Sequence, residues 1–243
     1  MKLLLLFLIF SVPLYPITID EIVKRLERNE VFESQRATAR MVIQKSGKKL
    51  TKTMKMWGVK EKNKFFVEFT NPEDKGVKYL RIDKELWIYF PDADDIMKIS
   101  GHMLRQGMMG SDVSYEDLLS DEDYKSRYDI KLIGETNISG ISCHLVEFVA
   151  KPEKKDITYH RQLIAVDKEK FVALEIELFA KSGRLLKKMS QSDFKNFNGR
   201  WYPVKITVKD MKTADSLTTV EFMELEFDVE VSKNIFSLQN LKR

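Results

Sequence analysis

The chain has 243 residues, 43% of them hydrophobic and 32% charged, enough to bury one sizeable core. Its 41 Lys and Arg are nearly matched by 37 Asp and Glu and are spread along the chain, which argues against nucleic acid as a partner. Cys143 is the only cysteine, so no internal disulfide can form; in the strand-like run ISCHLVEFV it reads as a buried, inert thiol.

The first residues are MKLLLLFLIFSVPLYPI. Lys2 supplies a short basic start, Leu3–Phe10 an unbroken apolar run, and Pro13 and Pro16 break it. The run is too short to cross a bilayer comfortably, and closing prolines fit a secretory leader over residues 1–17 better than a membrane anchor. Cleavage near residues 15–17 is expected, leaving 18–243 as one domain. With no cysteine in this region to carry a lipid, the product should be soluble after export.

Next comes ITIDEIVKRLERN. Thr18 followed by Glu21 makes a capping box, with Ile17 and Ile22 as the flanking apolar staple. Ile19, Ile22, Val23 and Leu26 share one stripe, opposite Lys24, Arg25, Glu27 and Arg28. The spacing predicts an amphipathic helix that docks on an apolar surface.

Most of the remainder alternates with period two. Leu174, Ile176 and Leu178 oppose Glu175 and Glu177; Tyr202, Val204, Ile206 and Val208 oppose Lys205, Thr207 and Lys209; Met223, Leu225, Phe227 and Val229 oppose Glu224, Glu226 and Asp228. Turn signals such as QKSGKK, NPEDKG, PDADD, NISG, KSGR and NFNGR separate the runs. The pattern predicts a curved antiparallel sheet of roughly eleven strands with one wet face. Its apolar face carries large or flexible residues: Met41, Ile43, Met54, Met56, Phe65, Val67 and Phe69. Eleven methionines suit either an ordinary core or a cavity that adapts to a variable apolar ligand.

The stretch GMMGSDVSYEDLL, from Gly107, concentrates hydroxyls and carboxylates. A hydrolytic site would need a nucleophile such as Ser111 or Ser114 with a base, but the chain has three histidines, no G-x-S-x-G elbow and no S-x-x-K. A helix start explains the residues better. Ser114 would cap it, Asp117 would reach back, and Val113 and Leu118 would form the staple. The glycines before it suit a mobile connection. Met103, Leu104, Met108 and Met109 make that connection apolar, so it should fold over the sheet as a lid. His102 with these methionines matches no strong copper motif, and PDADDIMKI lacks the glycine and closing Glu of a calcium loop. No metal or cofactor is expected.

Read in order, LWIYFPDADDIMKISG (Leu86–Gly101), MMGSDVSYEDL (Met108–Leu118), YDIKLIGETNISGISCHLVEF (Tyr128–Phe148), LKKMSQSDFKNFNGRWYPVKITVKD (Leu186–Asp210) and the closing FSLQNLKR resemble the LolA-like outer-membrane lipoprotein-sorting proteins. The resemblance covers nearly the whole chain after the leader. It implies an incomplete β-barrel, a helical lid across its mouth, and an apolar cavity for acyl chains. It also implies a periplasmic, non-enzymatic, monomeric carrier that takes an acylated lipoprotein or lipid from an inner-membrane transporter toward an outer-membrane acceptor. A lipid-sensing adaptor of a membrane regulator or export pump is the alternative use of the same fold. Under this resemblance the methionine-rich face, Trp87 and Tyr89 of the doubly apolar strand ELWIYF, Leu174, Ile176, Leu178, Val204 and Ile206 are expected to line the cavity. Met103, Met108 and Met109 are expected in the lid, with Thr18, Ser114 and Asp117 as caps of its helices.

Overall fold

A computed structural model describes residues 17–119, 124–154 and 157–242. All but the last residue of the expected leader lies outside this range. Helix α1 (Ile19–Glu30) precedes the β1–β2 hairpin (Ser34–Lys45, Lys48–Val59) and the short strands β3 (Lys64–Phe69), β4 (Lys78–Ile82), β5 (Glu85–Phe90) and β6 (Asp95–Ile99). After a connecting segment that includes α2 (Tyr124–Arg127) come β7 (Tyr128–Ile138), β8 (Ile141–Ala150), β9 (Arg161–Asp167) and β10 (Ala173–Phe179). Strands β11 (Leu185–Phe197), β12 (Arg200–Asp210) and β13 (Ser216–Phe227) follow, and α3 (Leu238–Leu241) closes the chain.

The thirteen strands form one antiparallel sheet in the order β6-β5-β4-β3-β2-β1-β13-β12-β11-β10-β9-β8-β7, not closed into a barrel. Turn signals in the sequence divide the chain into roughly eleven strands; the structure has thirteen. First and last strands pair in mid-sheet, β1 with β13. The two edge strands, β6 and β7, are therefore consecutive along the chain, and the described residues that follow β6 (100–119) can cross the open side.

Alternation sets the two faces. On β1, Ala37, Ala39, Met41 and Ile43 are buried on the inner face, while Arg36 and Arg40 point out and pair with Glu226 and Glu221 across β13. A bulge between Thr38 and Ala39 drops Met223 from the register. Met223 is 58% exposed although its sequence pattern groups it with Leu225 and Phe227.

Helix α1 begins as its sequence predicts: Thr18 Oγ1 accepts the Glu21 N–H at 3.3 Å. The Glu21 carboxylate binds Arg25 instead of returning to the cap. Ile22 and Leu26 bury against Tyr128, Val146, Phe148, Ile164, Val166 and Phe171, so the helix covers the β7–β10 half of the sheet. Each such side chain contributes about 1.5–3 kcal/mol. Asn29 fixes the helix end, donating to the carbonyls of Lys170 and Phe171 at 2.9 Å and accepting the Trp201 N–H at 2.9 Å.

His144 lies buried beside this cluster, its ring near Phe171, and its Nδ1 has no hydrogen-bond partner among the described residues. Burial, then the charge of Lys168, hold its pKa below the usual imidazole value, with Glu135 opposing weakly. As pH falls through about 6.5, the unfolded chain takes up the proton before the folded one does. The folded state should thus lose stability between pH 7 and 5. His144→Leu is expected to flatten the dependence of Tm on pH over that interval; an unchanged slope would assign the acid sensitivity to other groups.

The outer face of β2–β6 is covered by the C-terminal segment. Phe236 and Leu241 pack on Phe66, Leu80 and Tyr89, with Trp57, Trp87 and Ile235 at the margin. This explains why ELWIYF is apolar on both sides. Leu86 and Ile88 face inward, and Trp87 and Tyr89 face the C-terminal segment.

Candidate functional site

The inner face of β1–β6 forms one apolar surface, made of Ala39, Met41, Ile43, Met54, Val67, Phe69, Tyr79, Leu86 and Ile88. The segment following β6 lies over it. Met108 and Tyr115 are buried in the same cluster, and Met103, Leu104, Met109, Leu118 and Leu119 pack against it. Nine expected cavity residues are brought together here: Met41, Ile43, Met54, Met56, Phe65 and Phe69 from the sheet, with Met103, Met108 and Met109 from the lid. In this closed form the lid's own side chains occupy the space over the sheet.

The other seven separate. Trp87 and Tyr89 are on the outer face, because the C-terminal segment, not the cavity, supplies the second apolar environment of their strand. Leu174 is also outside, packed with Cys143, Ala165 and Val172. A bulge between Ala173 and Glu175 breaks the alternation with Ile176, which borders the α1 cluster. Leu178 pairs with Gln162 and Lys187 on the inward side and is buried. Val204 and Ile206 are half-buried, with Ile206 directly across from Val220, itself packed against the lid-covered cluster.

The lid is not the helix that SDVSYEDLL suggests. It consists of 3-10 turns at Gly101–Arg105, Met108–Gly110 and Asp117–Leu119. The cause is visible in the backbone. The Tyr115 and Glu116 N–H groups donate to the carbonyls of Gln106 and Leu104, and Asp117, Leu118 and Leu119 close i to i−3 bonds. Asp117 does reach back, its Oδ2 accepting the Ser114 N–H at 2.7 Å. The Ser114 hydroxyl, expected to cap, instead accepts from Lys187 Nζ at 3.0 Å. Gly107 serves close approach, not mobility: a Cβ there would lie 1.9 Å from the Ser111 carbonyl oxygen.

Polar contacts clasp this lid to the sheet. Asp112, buried, accepts from Ser216 Oγ at 2.6 Å and Thr218 Oγ1 at 2.7 Å, both on β13. Asp117 pairs with Lys187 of β11 and accepts from the Tyr159 hydroxyl at 2.6 Å. Burial, then the adjacent Asp117 carboxylate, push the Tyr159 phenol well above its usual range. Arg81 of β4 donates to the Leu118 carbonyl at 2.7 Å. Among the described residues the Ser111 hydroxyl bonds only locally, to Val113. Thus the Ser114 hydroxyl and the Asp112 and Asp117 carboxylates tie the covering segment to the sheet. Lys187, Thr218 and Tyr159 are partners that no local pattern could reveal, lying 42 to 106 positions away in the chain.

Beside the lid, a cleft of about 330 Å³ opens at the end of the sheet where β1 begins and β2 ends. Gln35, Gly58, Phe65, Arg81, Leu118 and Tyr202 line it. Phe65 and Leu118 belong to both the cleft and the lid-covered cluster, so the cleft abuts the apolar face. Its volume is at the small end for ligand pockets.

Comparison with known proteins gives the following. A family model described as "Uncharacterized protein" matches residues 61–243. Among solved structures, a DUF1329 family protein from Desulfovibrio piger is 28% identical with a TM-score of 0.83, over 91% of this chain and 96% of that one. An outer membrane lipoprotein-sorting protein domain from Vibrio parahaemolyticus is 22% identical, TM-score 0.81, over 92% and 97%. A LolA superfamily protein from Nitrosomonas europaea is 17% identical, TM-score 0.73, over 92% and 99%. A search of the curated proteins gives no match.

Proposed function

We propose that this chain, which belongs to the family whose model matches residues 61–243 and shares the fold of an outer membrane lipoprotein-sorting protein domain and a LolA superfamily protein, is a periplasmic carrier for the acyl chains of a lipoprotein or lipid. The observation that carries this reading is the methionine-rich lid lying on a methionine-rich sheet face beside an open cleft. Methionine adapts to irregular partners. An acyl chain entering at Phe65 and Leu118 would take the place of Met103, Met108 and Met109 as the lid lifts. Among the described residues no helix is long and apolar enough to cross a membrane.

The exchange explains how such cargo could be released. Burying an acyl chain gains about 0.8 kcal/mol per methylene, which by itself would make the complex too tight to hand on. Here, binding also uncovers the apolar lid side chains and breaks the Asp112 and Asp117 contacts. The net affinity is the difference, and a next site needs only a modest advantage to receive the cargo. Delivery from an inner-membrane donor to an outer-membrane acceptor belongs to this proposal.

The test is native mass spectrometry with lipid extraction on protein exported by a bacterial host and purified without detergent. Copurifying acylated species are expected, and uptake of added acylated peptide should fall at least tenfold in Met54→Asp and Met109→Asp. Met109 is only partly buried, so its variant should fold even if Met54→Asp does not. An apo mass throughout, with no uptake by the wild-type protein, would overturn the carrier reading.

A further inference from the structure

We propose that the end of the sheet remote from the cleft is a docking surface for anionic phospholipid membranes. Three neighbouring turns meet there. The Ser46 N–H at the tip of β1–β2 donates to the Asp215 carbonyl of the β12–β13 turn at 3.3 Å, and the Met211 N–H of that turn donates to the Leu186 carbonyl, just past the β10–β11 turn, at 2.8 Å. The three tips therefore form one continuous rim.

That rim is basic and exposed. Lys45, Lys48 and Lys49 flank the first tip, Lys209 and Lys212 the second, and Lys181 and Arg184 the third, all exposed. Lys212 pairs with Asp210 at 3.4 Å; among the described residues the other six form no ion pair. The only other acidic residue of these three turns is Asp215. Two apolar side chains stand among the cations: Leu50, 56% exposed, and Met211, 42% exposed. Unneutralised cations interleaved with protruding apolar groups match a bilayer surface in both respects, phosphate headgroups and acyl boundary. A folded protein partner would more often pair such cations individually with carboxylates.

Two acidic turns lie at the same end: in the β3–β4 turn, next to β2, Asp74 is paired with Lys52 at 2.5 Å and Glu73 accepts from Asn71, and the turn of Asp92, Asp94 and Asp95 lies between β5 and β6, three strand spacings from β2. At about 4.8 Å per spacing that is roughly 14 Å, beyond the screening length of about 8 Å at physiological salt. The field of this distant turn does not cancel that of the rim, and in the nearer one Asp74 is already neutralised by Lys52, leaving Glu73 against six unpaired cations. The cleft borders the opposite strand ends, at Ser34, Val59, Lys64 and Arg81. A molecule docked by the rim would present the cleft to the aqueous side. The inference stands apart from the carrier proposal, since it needs no ligand on the inner face.

The test is cosedimentation with vesicles of equal parts phosphatidylcholine and phosphatidylglycerol, against vesicles of phosphatidylcholine alone. The exported protein should be used, its N-terminus established by mass spectrometry, so that Leu3–Phe10 does not contribute. Binding is expected to the anionic vesicles only and to weaken as salt rises. Each cation near the surface is worth about fivefold, so Lys48→Glu/Lys49→Glu should weaken binding more than twentyfold, and Lys181→Glu/Arg184→Glu likewise from a separate turn. Lys131→Glu/Lys195→Glu, outside the rim and with the same net charge, should bind as the unmodified protein does. No binding to anionic vesicles, or equal binding by rim and control variants, would overturn the proposal. So would salt-independent binding to phosphatidylcholine alone.

Discussion

Replacing Lys187 by methionine is expected to destabilise the closed lid by about 3–5 kcal/mol, the cost of leaving one member of a buried ion pair without its partner. The Lys187 side chain is 5% exposed and contacts Asp117 and the Ser114 hydroxyl, with the Tyr159 ring 5.9 Å away. Without the ammonium, Asp117 loses this ion pair, while the Tyr159 hydroxyl and the Ser114 N–H still donate to it. Solvent screens the pair weakly, so little of the loss should be recovered by water. Amide hydrogen exchange in Ser114–Leu119 would show whether the effect is local: opening of the lid alone would raise exchange there by more than a hundredfold while the β7–β10 half stays protected. Lys187→Met combined with Asp117→Asn removes both charges and should recover much of the loss. A loss below 1 kcal/mol in urea unfolding, with unchanged exchange, would mean that the pair does not hold the lid.

Phe69→Ala should have a comparable effect for a different reason. Phe69 is fully buried beneath the lid and meets Tyr79 edge to face, with ring centroids 5.9 Å apart. Truncating a buried phenylalanine typically costs about 3–5 kcal/mol, part transfer energy and part residual cavity. If the lid-covered face is where acyl chains bind, a chain can fill that cavity. The rise in Tm on adding an acylated peptide should then be larger in Phe69→Ala than in the unmodified protein. A cavity left by Phe148→Ala, in the cluster under α1, should show no such extra gain. Equal ligand-induced shifts in all three proteins would separate Phe69 from any acyl site.

Much of this architecture is legible in local sequence. Period-two alternation places Met41, Ile43, Met54, Met56, Phe65 and Phe69 on one face, and Thr18 with Ile22 and Leu26 marks α1 and its buried stripe. The apolar methionines after β6 announce a covering segment. These features are readable because strand and helix periods depend only on nearby residues and on the need to bury apolar area.

Other features depend on residues far apart in the chain. A bulge at Ala173 turns Leu174 outward, and another at Thr38 exposes Met223, because register is settled between strands and not within one. Trp87 and Tyr89 look inward-facing until the C-terminal segment, more than 140 residues later, is seen to cover them. The GSDVSYEDL motif carries the local grammar of a helix start, yet Asp112 and Asp117 find stronger partners across the sheet in Ser216, Thr218, Tyr159 and Lys187. A charge-assisted contact in a dry interior outweighs one more turn of exposed helix. Sequence alone thus determined which faces are apolar and that a lid exists. Only the tertiary structure decided what holds the lid shut, because buried charges choose their partners in space.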